Sequence, residues 1–274
     1  MDSIVLLGTG CPSPSHERFG PSTLVTSGNQ NILIDAGSGV TQRLSEHGLK
    51  PSAIDIILIT HLHSDHIVDL YQLYISGWHS GRTKPFKLVG PRGIEKFFNK
   101  TLEAYDDELS LRIEWEKRPN KAGLEIEIIE INEEFTFDDQ DIKIKSIEVQ
   151  HQPVEPAYGY EFLVKNKKVT YSGDTKYSKN LENVSKNAEY LIHEVFVDLN
   201  FDDKRMTQDT LKNVREYHST PEDVGKLAQA ANVKNLVLNH FVPPVFDEEG
   251  LRNEISKHYD GKIIVGSDLD VFNL

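Results

Sequence analysis

Hydrophobic positions along the chain fall into short runs that turn residues separate. The runs in SIVLLGTG, STLVTSGNQNILIDAG and AIDIILITH are rich in β-branched residues and bounded by glycine, asparagine or proline, which predicts strands. Ser27–Gly28–Asn29 predicts a hairpin turn inside the second run. Apolar residues recur at helical spacing in GSGVTQRLSEHGL, HIVDLYQLYISGW and TPEDVGKLAQAAN, which predicts helices.

The order of these elements favours one fold class. Strands dominate, helices are interspersed, and hairpins recur in both halves of the chain. This order predicts an α/β (α+β) sandwich of the αββα type, with two mixed sheets face to face and helices on the outer faces. A doubly wound parallel sheet fits less well because so many strands come as hairpins. Without repeats, low-complexity segments or Gly/Ser linkers, residues 1–274 are expected to form a single domain.

The composition indicates the cellular compartment in which the protein works. The only cysteine, Cys11, cannot form an intramolecular disulfide, which fits a reducing environment. No apolar stretch approaches the ~20 residues of a membrane span. The apolar N-terminal run lacks a basic region and a cleavage-like site. We therefore expect a cytoplasmic protein without a membrane partner.

The balance of acidic and basic residues affects how strongly the protein can bind nucleic acid. Acidic residues number 43 against 30 basic ones, which gives a formal net charge of −13. Affinity for phosphates depends mainly on Lys and Arg, so this charge disfavours RNA as a substrate. A local basic patch or bound metal ions would override that effect.

The most informative segment places three of the 11 histidines and one aspartate within six positions, directly after a predicted strand. In HLHSDH, the spacing of His61 and His63 puts both on one side of an extended segment. Asp65 and His66 follow where the chain turns into a helix, so they point elsewhere. This geometry divides the four residues between two nearby metal ions. Imidazole and carboxylate ligands suit zinc, with manganese or iron as possible substitutes.

This segment resembles the HxHxDH signature of the metallo-β-lactamase superfamily, αββα hydrolases that commonly hold two metals. Further motifs flank this segment in the family's order: GTG and LIDAGSG precede it, and His151 in VQHQPVEP, Asp174 in YSGDT and His240 in LVLNHF follow it. The resemblance implies one metal on His61, His63 and His151, and a second on Asp65, His66 and His240. It implies Asp174 as the bridge between them. Two Zn²⁺ ions are therefore the expected cofactors.

Two neighbouring metal ions acidify a bridging water enough to make it hydroxide near neutral pH, and they neutralise the oxygens of a tetrahedral ester. We expect Asp65 to orient that hydroxide. Metal ligands also need outer partners that fix their orientation. Asp35, at the end of ILIDAG, is the candidate for one of these.

A further motif points to one branch of the superfamily. His218 begins HSTPEDVGKLA, in which Thr220 can cap a helix before Pro221. The motif resembles that of ribonuclease Z and of the zinc-dependent arylsulfatases, in which the histidine contacts an oxyanion or protonates the leaving oxygen. Glu194 resembles the HE element of this group and is expected to orient His218. A structural histidine at the helix start is the alternative.

Ribonuclease Z enzymes that process tRNA usually carry a protruding arm between the third and fourth motifs. Here His151 and Asp174 are 174 − 151 = 23 positions apart, and a tight hairpin fills the interval. The segment SGWHSGRTKPF resembles one that lies near the substrate in arm-less members. It predicts an aromatic and cationic wall for an anionic ester, or else an ordinary surface loop; the wall would comprise Trp78, His79, Arg82 and Phe86.

Together these features predict a binuclear zinc hydrolase of the ribonuclease Z/arylsulfatase-like group that cleaves phosphodiesters or sulfate esters. The expected substrate is a small anionic ester, and the family resemblance implies a homodimer. The alternatives are a tRNA 3′-processing endonuclease, a β-lactamase or lactonase, and a non-catalytic metal-binding scaffold. The complete ligand set argues against the scaffold.

Overall fold

Two β-sheets form the centre of the protein, described here from a computed structural model that covers residues 2–199 and 207–274. Each sheet has seven strands within these residues. The first sheet contains, in spatial order, β14 (Val271–Asn273), β1 (Ser3–Gly8), β2 (Ser22–Ser27), β3 (Gln30–Ile34), β4 (Ile56–Leu58), β5 (Phe86–Pro91) and β6 (Ile126–Ile131). The second contains β13 (Lys262–Val265), β12 (Asn235–Val242), β11 (Tyr190–Phe196), β10 (Lys167–Tyr171), β9 (Ala157–Val164), β8 (Ile142–Val149) and β7 (Thr136–Asp138).

Both sheets are mixed in the same way. In the first, β14, β1, β2 and β3 pair antiparallel, whereas β3, β4, β5 and β6 pair parallel. In the second, β7 to β10 pair antiparallel and β10 to β13 pair parallel. Hairpins such as β2–β3 and β9–β10 supply the antiparallel halves, as the turn residues predicted.

Helices cover the outer face of each sheet. Those on the first sheet are α1 (Val40–Glu46), α3 (Leu70–His79) and α4 (Ile94–Ala104). Those on the second are α6 (Lys179–Val184), α8 (Pro221–Ala230) and α9 (Glu248–Ser256). The remaining helices are α2 (Ser64–Ile67), α5 (Asp106–Glu116) and α7 (Gln208–Arg215). Within residues 2–199 and 207–274, every helix is too short or too polar to span a bilayer.

The apolar core lies in three layers, which confirms the predicted αββα sandwich. One cluster fills the space between the sheets and includes Leu6, Ile32, Tyr160 and Phe162. The other two lie between each sheet and its helices. Because the ends of both sheets are fixed by this packing, polar residues that follow the strands are held on a rigid frame.

Candidate metal centre

The predicted ligands converge where several strands end at one edge of the sandwich. His61 follows β4, His151 follows β8 and Asp174 follows β10. Strands β8, β10, β11 and β12 run in the same direction, so their carboxyl ends meet at this edge. The frame therefore brings residues that are up to 179 positions apart in the sequence, His61 and His240, into one centre.

Backbone conformation places three of the site residues. His240 lies at a bulge of β12, where the register with β11 shifts, and it has a positive φ of 42°. Asp35 also has a positive φ, 59°. Before Asp174, Gly173 has a φ of 58°, and a Cβ there would lie 2.5 Å from the carbonyl oxygen of Tyr158. Such strained positions are typical of functional sites.

The first ligand group consists of His61, His63, His151 and Asp174. Nε2 of His61 lies 2.9 Å from Nδ1 of His63, and Nε2 of His151 lies 3.1 Å from that same Nδ1. His63 therefore presents Nδ1 to the group, whereas the other two histidines present Nε2.

The second ligand group consists of Asp65, His66 and His240. The Nε2 atoms of His66 and His240 lie 3.2 Å apart. Oδ2 of Asp65 lies 3.3 Å from Nε2 of His240 and 3.5 Å from Nε2 of His66. All three residues therefore direct a ligand atom to the same point.

Asp174 lies between the two groups. Its Oδ2 atom is 3.8 Å from Nε2 of His61 and 3.9 Å from Nε2 of His151. The same atom is 3.5 Å from Nε2 of both His66 and His240. No other carboxylate in the described residues contacts both groups, so the position is that of a bridging ligand.

These separations fit metal ions. Ligands held about 2.0–2.1 Å from a tetrahedral zinc ion are about 3.3 Å from one another. Within each group the donor atoms lie within 4.8 Å of one another, and the contacts given above span 2.9 to 3.9 Å. A cation between these closely packed nitrogen and oxygen atoms would stabilise their burial.

Outer partners fix the protons of two ligands. Nδ1 of His66 lies 2.8 Å from Oδ2 of Asp35, the residue that the sequence suggested for this purpose. Nδ1 of His151 lies 2.9 Å from the carbonyl oxygen of Tyr217, which the sequence did not suggest. A proton on each Nδ1 leaves the lone pair of Nε2 available to a metal.

The two ligand groups differ in electrostatics. Burial lowers the pKa of His63, lowers that of His151 to about 4, and lowers the pKa of His61 well below its usual value. Burial opposes protonation of His66 too, but the charges of Asp174, Asp35 and Asp65 raise its pKa well above the usual value. The pKa of His240 is raised against the effect of burial, first by Asp174. A metal entering the second group therefore competes with protons up to a higher pH than a metal entering the first.

His218 and Glu194 form a pair beside the ligands. Nδ1 of His218 lies 2.9 Å from Oε1 of Glu194, which also accepts hydrogen bonds from the backbone N–H groups of Thr175 and Ser219. The His218 ring centroid lies 5.1 Å from that of His151 and 6.0 Å from that of His240. His218 thus faces both ligand groups without belonging to either.

Burial perturbs both members of this pair. It lowers the pKa of His218 to about 4. Burial and then the charge of Asp174 raise the pKa of Glu194 well above its usual value. Thr220 caps α8 through a reciprocal hydrogen bond with Asp223, as the motif predicted, and this cap holds the segment that carries His218.

The predicted substrate wall is not part of this centre. Trp78, on the buried side of α3, and Arg82 and Phe86, which follow this helix, are only 1%, 2% and 2% exposed. The Arg82 guanidinium donates hydrogen bonds to the carbonyl oxygens of Gly123 and Tyr74. Trp78 also lies about 12 Å along the helix axis from Leu70, the first residue of α3. Side chains that are this deeply buried are not accessible to a substrate.

His79, the fourth member of the predicted wall, is partly exposed, but it contacts Arg112 and Arg118 at the end of α3. Three of the four predicted wall residues therefore belong to the core. The polar and glycine-rich sequence of the segment SGWHSGRTKPF is typical of a surface loop. Nothing in the sequence near it indicates that Gly123 and its neighbours cover the segment.

Comparison with known proteins agrees with this geometry. Residues 3–235 match the family described as anti-Pycsar protein Apyc1. The protein named ribonuclease Z from Mycobacterium marinum is 32% identical over 277 residues, which cover 98% of this chain and 97% of that protein.

Solved structures share the fold. The metallo-β-lactamase fold protein YhfI from Bacillus subtilis superposes with a TM-score of 0.76 at 20% identity, covering 99% of this chain and 98% of that one. The short form of human tRNase Z superposes with a TM-score of 0.73 at 22% identity, with the same coverage of both chains.

Proposed function

Because the chain belongs to the anti-Pycsar Apyc1 family and to the ribonuclease Z branch of the metallo-β-lactamase superfamily, we propose that it hydrolyses phosphodiester bonds of RNA with two metal ions. The observation that carries this proposal is the convergence of seven ligand residues into two groups that share Asp174. Zinc is the proposed metal, since imidazole nitrogen and carboxylate oxygen suit it.

The relatives favour the phosphodiester over the sulfate ester. The sequence favoured a hydrolase of the ribonuclease Z/arylsulfatase-like group that cleaves phosphodiesters or sulfate esters, with a tRNA 3′-processing endonuclease, ribonuclease Z, as an alternative. The M. marinum protein aligned over nearly its whole length is named ribonuclease Z, so the alternative fits better than the first reading. Phosphodiester and sulfate ester are both tetrahedral, and the measured substrate preference decides between them.

The protein's own residues supply the remaining chemistry. Two divalent ions, when bound, neutralise phosphate oxygens and lower the pKa of water. Asp65 is partly exposed, with Oδ2 near His240 and His66, so its carboxylate can orient the attacking water toward the phosphorus. The surrounding burial of His61, His66 and His151 keeps bulk water away from the ligand atoms.

His218 is proposed to assist the leaving oxygen. Glu194 engages its Nδ1 atom, which leaves Nε2 for the substrate. With a pKa near 4 the ring is neutral at neutral pH, and an approaching phosphate anion raises that pKa. Once its pKa is raised, the ring can take up a proton from water at Nε2 and donate it to the departing oxygen, or donate a hydrogen bond from Nε2 to the phosphate oxyanion.

A second candidate is the hydrolysis of small phosphodiesters. Only Lys165 and Asn166 connect β9 to β10, so no arm for tRNA stands between the third and fourth motifs. The net charge of −13 also weakens attraction to long RNA. Binding to tRNA should then be weak and steeply dependent on salt.

Homodimer formation, implied by the family resemblance, is likewise proposed, and light scattering of the purified protein tests it.

The test compares three substrates side by side: a precursor tRNA, bis(p-nitrophenyl) phosphate and p-nitrophenyl sulfate. Zinc-loaded wild type is compared with His63→Ala, which removes one ligand. We expect wild type to cleave both phosphodiesters far faster than the sulfate, and the variant to lose all activity. Cleavage of bis(p-nitrophenyl) phosphate but not of the tRNA would favour the small-substrate alternative. Preference for the sulfate would restore the arylsulfatase-like reading.

A further inference from the structure

Thr60 occupies the position between β4 and the first ligand, and its backbone is firmly held. The residue is fully buried. Its carbonyl oxygen accepts a hydrogen bond of 2.9 Å from the backbone N–H of Tyr158. The preceding carbonyl, of Ile59, accepts a hydrogen bond of 2.7 Å from the hydroxyl of Tyr160. Both tyrosines belong to β9 of the second sheet, so this strand end is fixed from across the sandwich.

The Thr60 hydroxyl touches partners of both ligand groups. Its Oγ1 atom lies 3.0 Å from Nδ1 of His61, 2.9 Å from Oδ2 of Asp35 and 3.1 Å from Oδ1 of Asp35. Its backbone N–H donates to Oδ1 of Asp35 at 2.8 Å. Asp35 in turn lies 2.8 Å from Nδ1 of His66. A continuous chain of hydrogen bonds therefore joins His61 of the first group to His66 of the second.

Counting protons assigns a direction to each of these bonds. A histidine that binds a metal through Nε2 keeps its ring proton on Nδ1. For His66 that proton goes to Asp35. For His61 it goes to Oγ1 of Thr60, which can accept it only if the hydroxyl proton points elsewhere. Asp35, a carboxylate that accepts but does not donate, takes the hydroxyl proton.

We propose that Thr60 is a positioning residue that fixes the tautomer and orientation of His61 and couples the two ligand groups through Asp35. This inference rests on the proposed metal centre. Thr60 itself does not contact the substrate or the reacting atoms, and it acts only through His61 and Asp35.

The matched substitution is Thr60→Val, which replaces the hydroxyl by a methyl group of similar size. It leaves Nδ1–H of His61 buried without an acceptor and removes one donor from Asp35. Loss of such an outer partner typically weakens metal binding about 10–100-fold, and we expect a loss in that range. Thr60→Ser keeps the hydroxyl, so zinc affinity should return close to that of wild type.

Thr170→Val provides the control. Thr170 is also fully buried, and its hydroxyl lies 3.0 Å from that of Ser185, which belongs to neither ligand group. This variant loses one buried hydrogen bond of the same kind, but none that reaches a ligand. Its zinc affinity should equal that of wild type even if its melting temperature falls.

Metal-stripped proteins are titrated with zinc against a fluorescent chelator, and circular dichroism checks that each variant is folded. If Thr60→Val does not fold, Thr60→Ala carries the comparison and should show the same weakening. The inference would be overturned if Thr60→Val bound zinc as tightly as wild type. It would also be overturned if zinc affinity fell as far in Thr60→Ser, or in Thr170→Val, as in Thr60→Val. Wild-type protein that binds no zinc would instead refute the metal centre itself, which distinguishes the two failures.

Discussion

Oε1 of Glu194 lies 2.9 Å from Nδ1 of His218, and two backbone N–H groups donate to the same oxygen. This arrangement anchors the carboxylate and turns Nε2 of His218 away from it. Because the His218 ring stands near both His151 and His240 without entering either ligand group, its loss should affect catalysis differently from the loss of a ligand.

His218→Ala should leave metal content and fold intact while lowering kcat about 10²–10⁴-fold for a leaving group that needs protonation. An activated leaving group such as p-nitrophenolate departs without help, so the variant should lose much less on that substrate. Phosphodiesters with leaving groups of graded pKa measure this difference. His63→Ala, as the comparison, should damage every substrate alike. A uniform loss in His218→Ala would leave only oxyanion stabilisation, and lost zinc would make His218 structural.

Asp174→Ala should abolish the paired metal site, because only a bridging carboxylate offers an oxygen to both groups. We expect zinc content to fall from about two ions per chain to one or fewer. Elemental analysis after dialysis measures it. Asp223→Ala is the control, since that carboxylate caps α8 and belongs to neither ligand group. Full metal content in Asp174→Ala would refute its role as the bridge.

Zinc retention should depend on pH differently in the two ligand groups. A ligand histidine must be neutral to bind metal. The raised pKa values of His66 and His240 keep these rings protonated to higher pH, whereas the lowered pKa values of His61, His63 and His151 leave those rings neutral. As pH falls, the second group should therefore lose its metal first.

Single-site variants separate the two groups. His63→Ala disables the first group, and His240→Ala disables the second. Zinc retention is measured from about pH 8 to about pH 4. Its midpoint should lie at lower pH in His240→Ala than in His63→Ala, because the group left intact in His240→Ala contains only histidines of lowered pKa. The reverse order of midpoints would contradict the electrostatic difference.

Arg82→Ala should destabilise the protein without altering its substrate affinity. The variant leaves the carbonyl oxygens of Gly123 and Tyr74 without their donors in the core, which costs about 3 kcal/mol of unfolding free energy. Lys226→Ala, which removes an exposed ion pair on α8, should leave the free energy of unfolding close to that of wild type. Denaturant unfolding and KM measure both effects. Normal stability with a raised KM would place Arg82 at the substrate after all.

The sequence allowed good prediction of the fold because hairpin turns and apolar runs are local signals. The turn at Ser27–Gly28–Asn29 joins β2 to β3 as predicted. Helix α5 was missed, since none of its residues is buried and it shows no apolar stripe facing a core. Helix α7 was missed for a similar reason, because its residues are largely polar.

Site residues, like the fold, could be predicted where a local sequence motif marks them, and not where the contacts are made by residues distant in the sequence. The motif around His61 carries its own spacing, and the structure brings the distant residues His151, Asp174 and His240 to it. The carbonyl of Tyr217 and the hydroxyl of Thr60 escaped notice, because a backbone oxygen or a single threonine has no sequence signature. Arg82 was misassigned because the carbonyls that bind it lie up to 41 positions away.

The central claim is that paired metal ions held by these seven residues cleave phosphodiesters. The most direct measurement is hydrolysis of bis(p-nitrophenyl) phosphate by metal-stripped wild type and Asp174→Ala as zinc is added back. We predict that wild-type activity rises with zinc and saturates near two ions per chain, whereas the variant stays inactive at every zinc level. Wild-type protein that binds two zinc ions and leaves the phosphodiester intact, or equal activity in Asp174→Ala, would contradict the account.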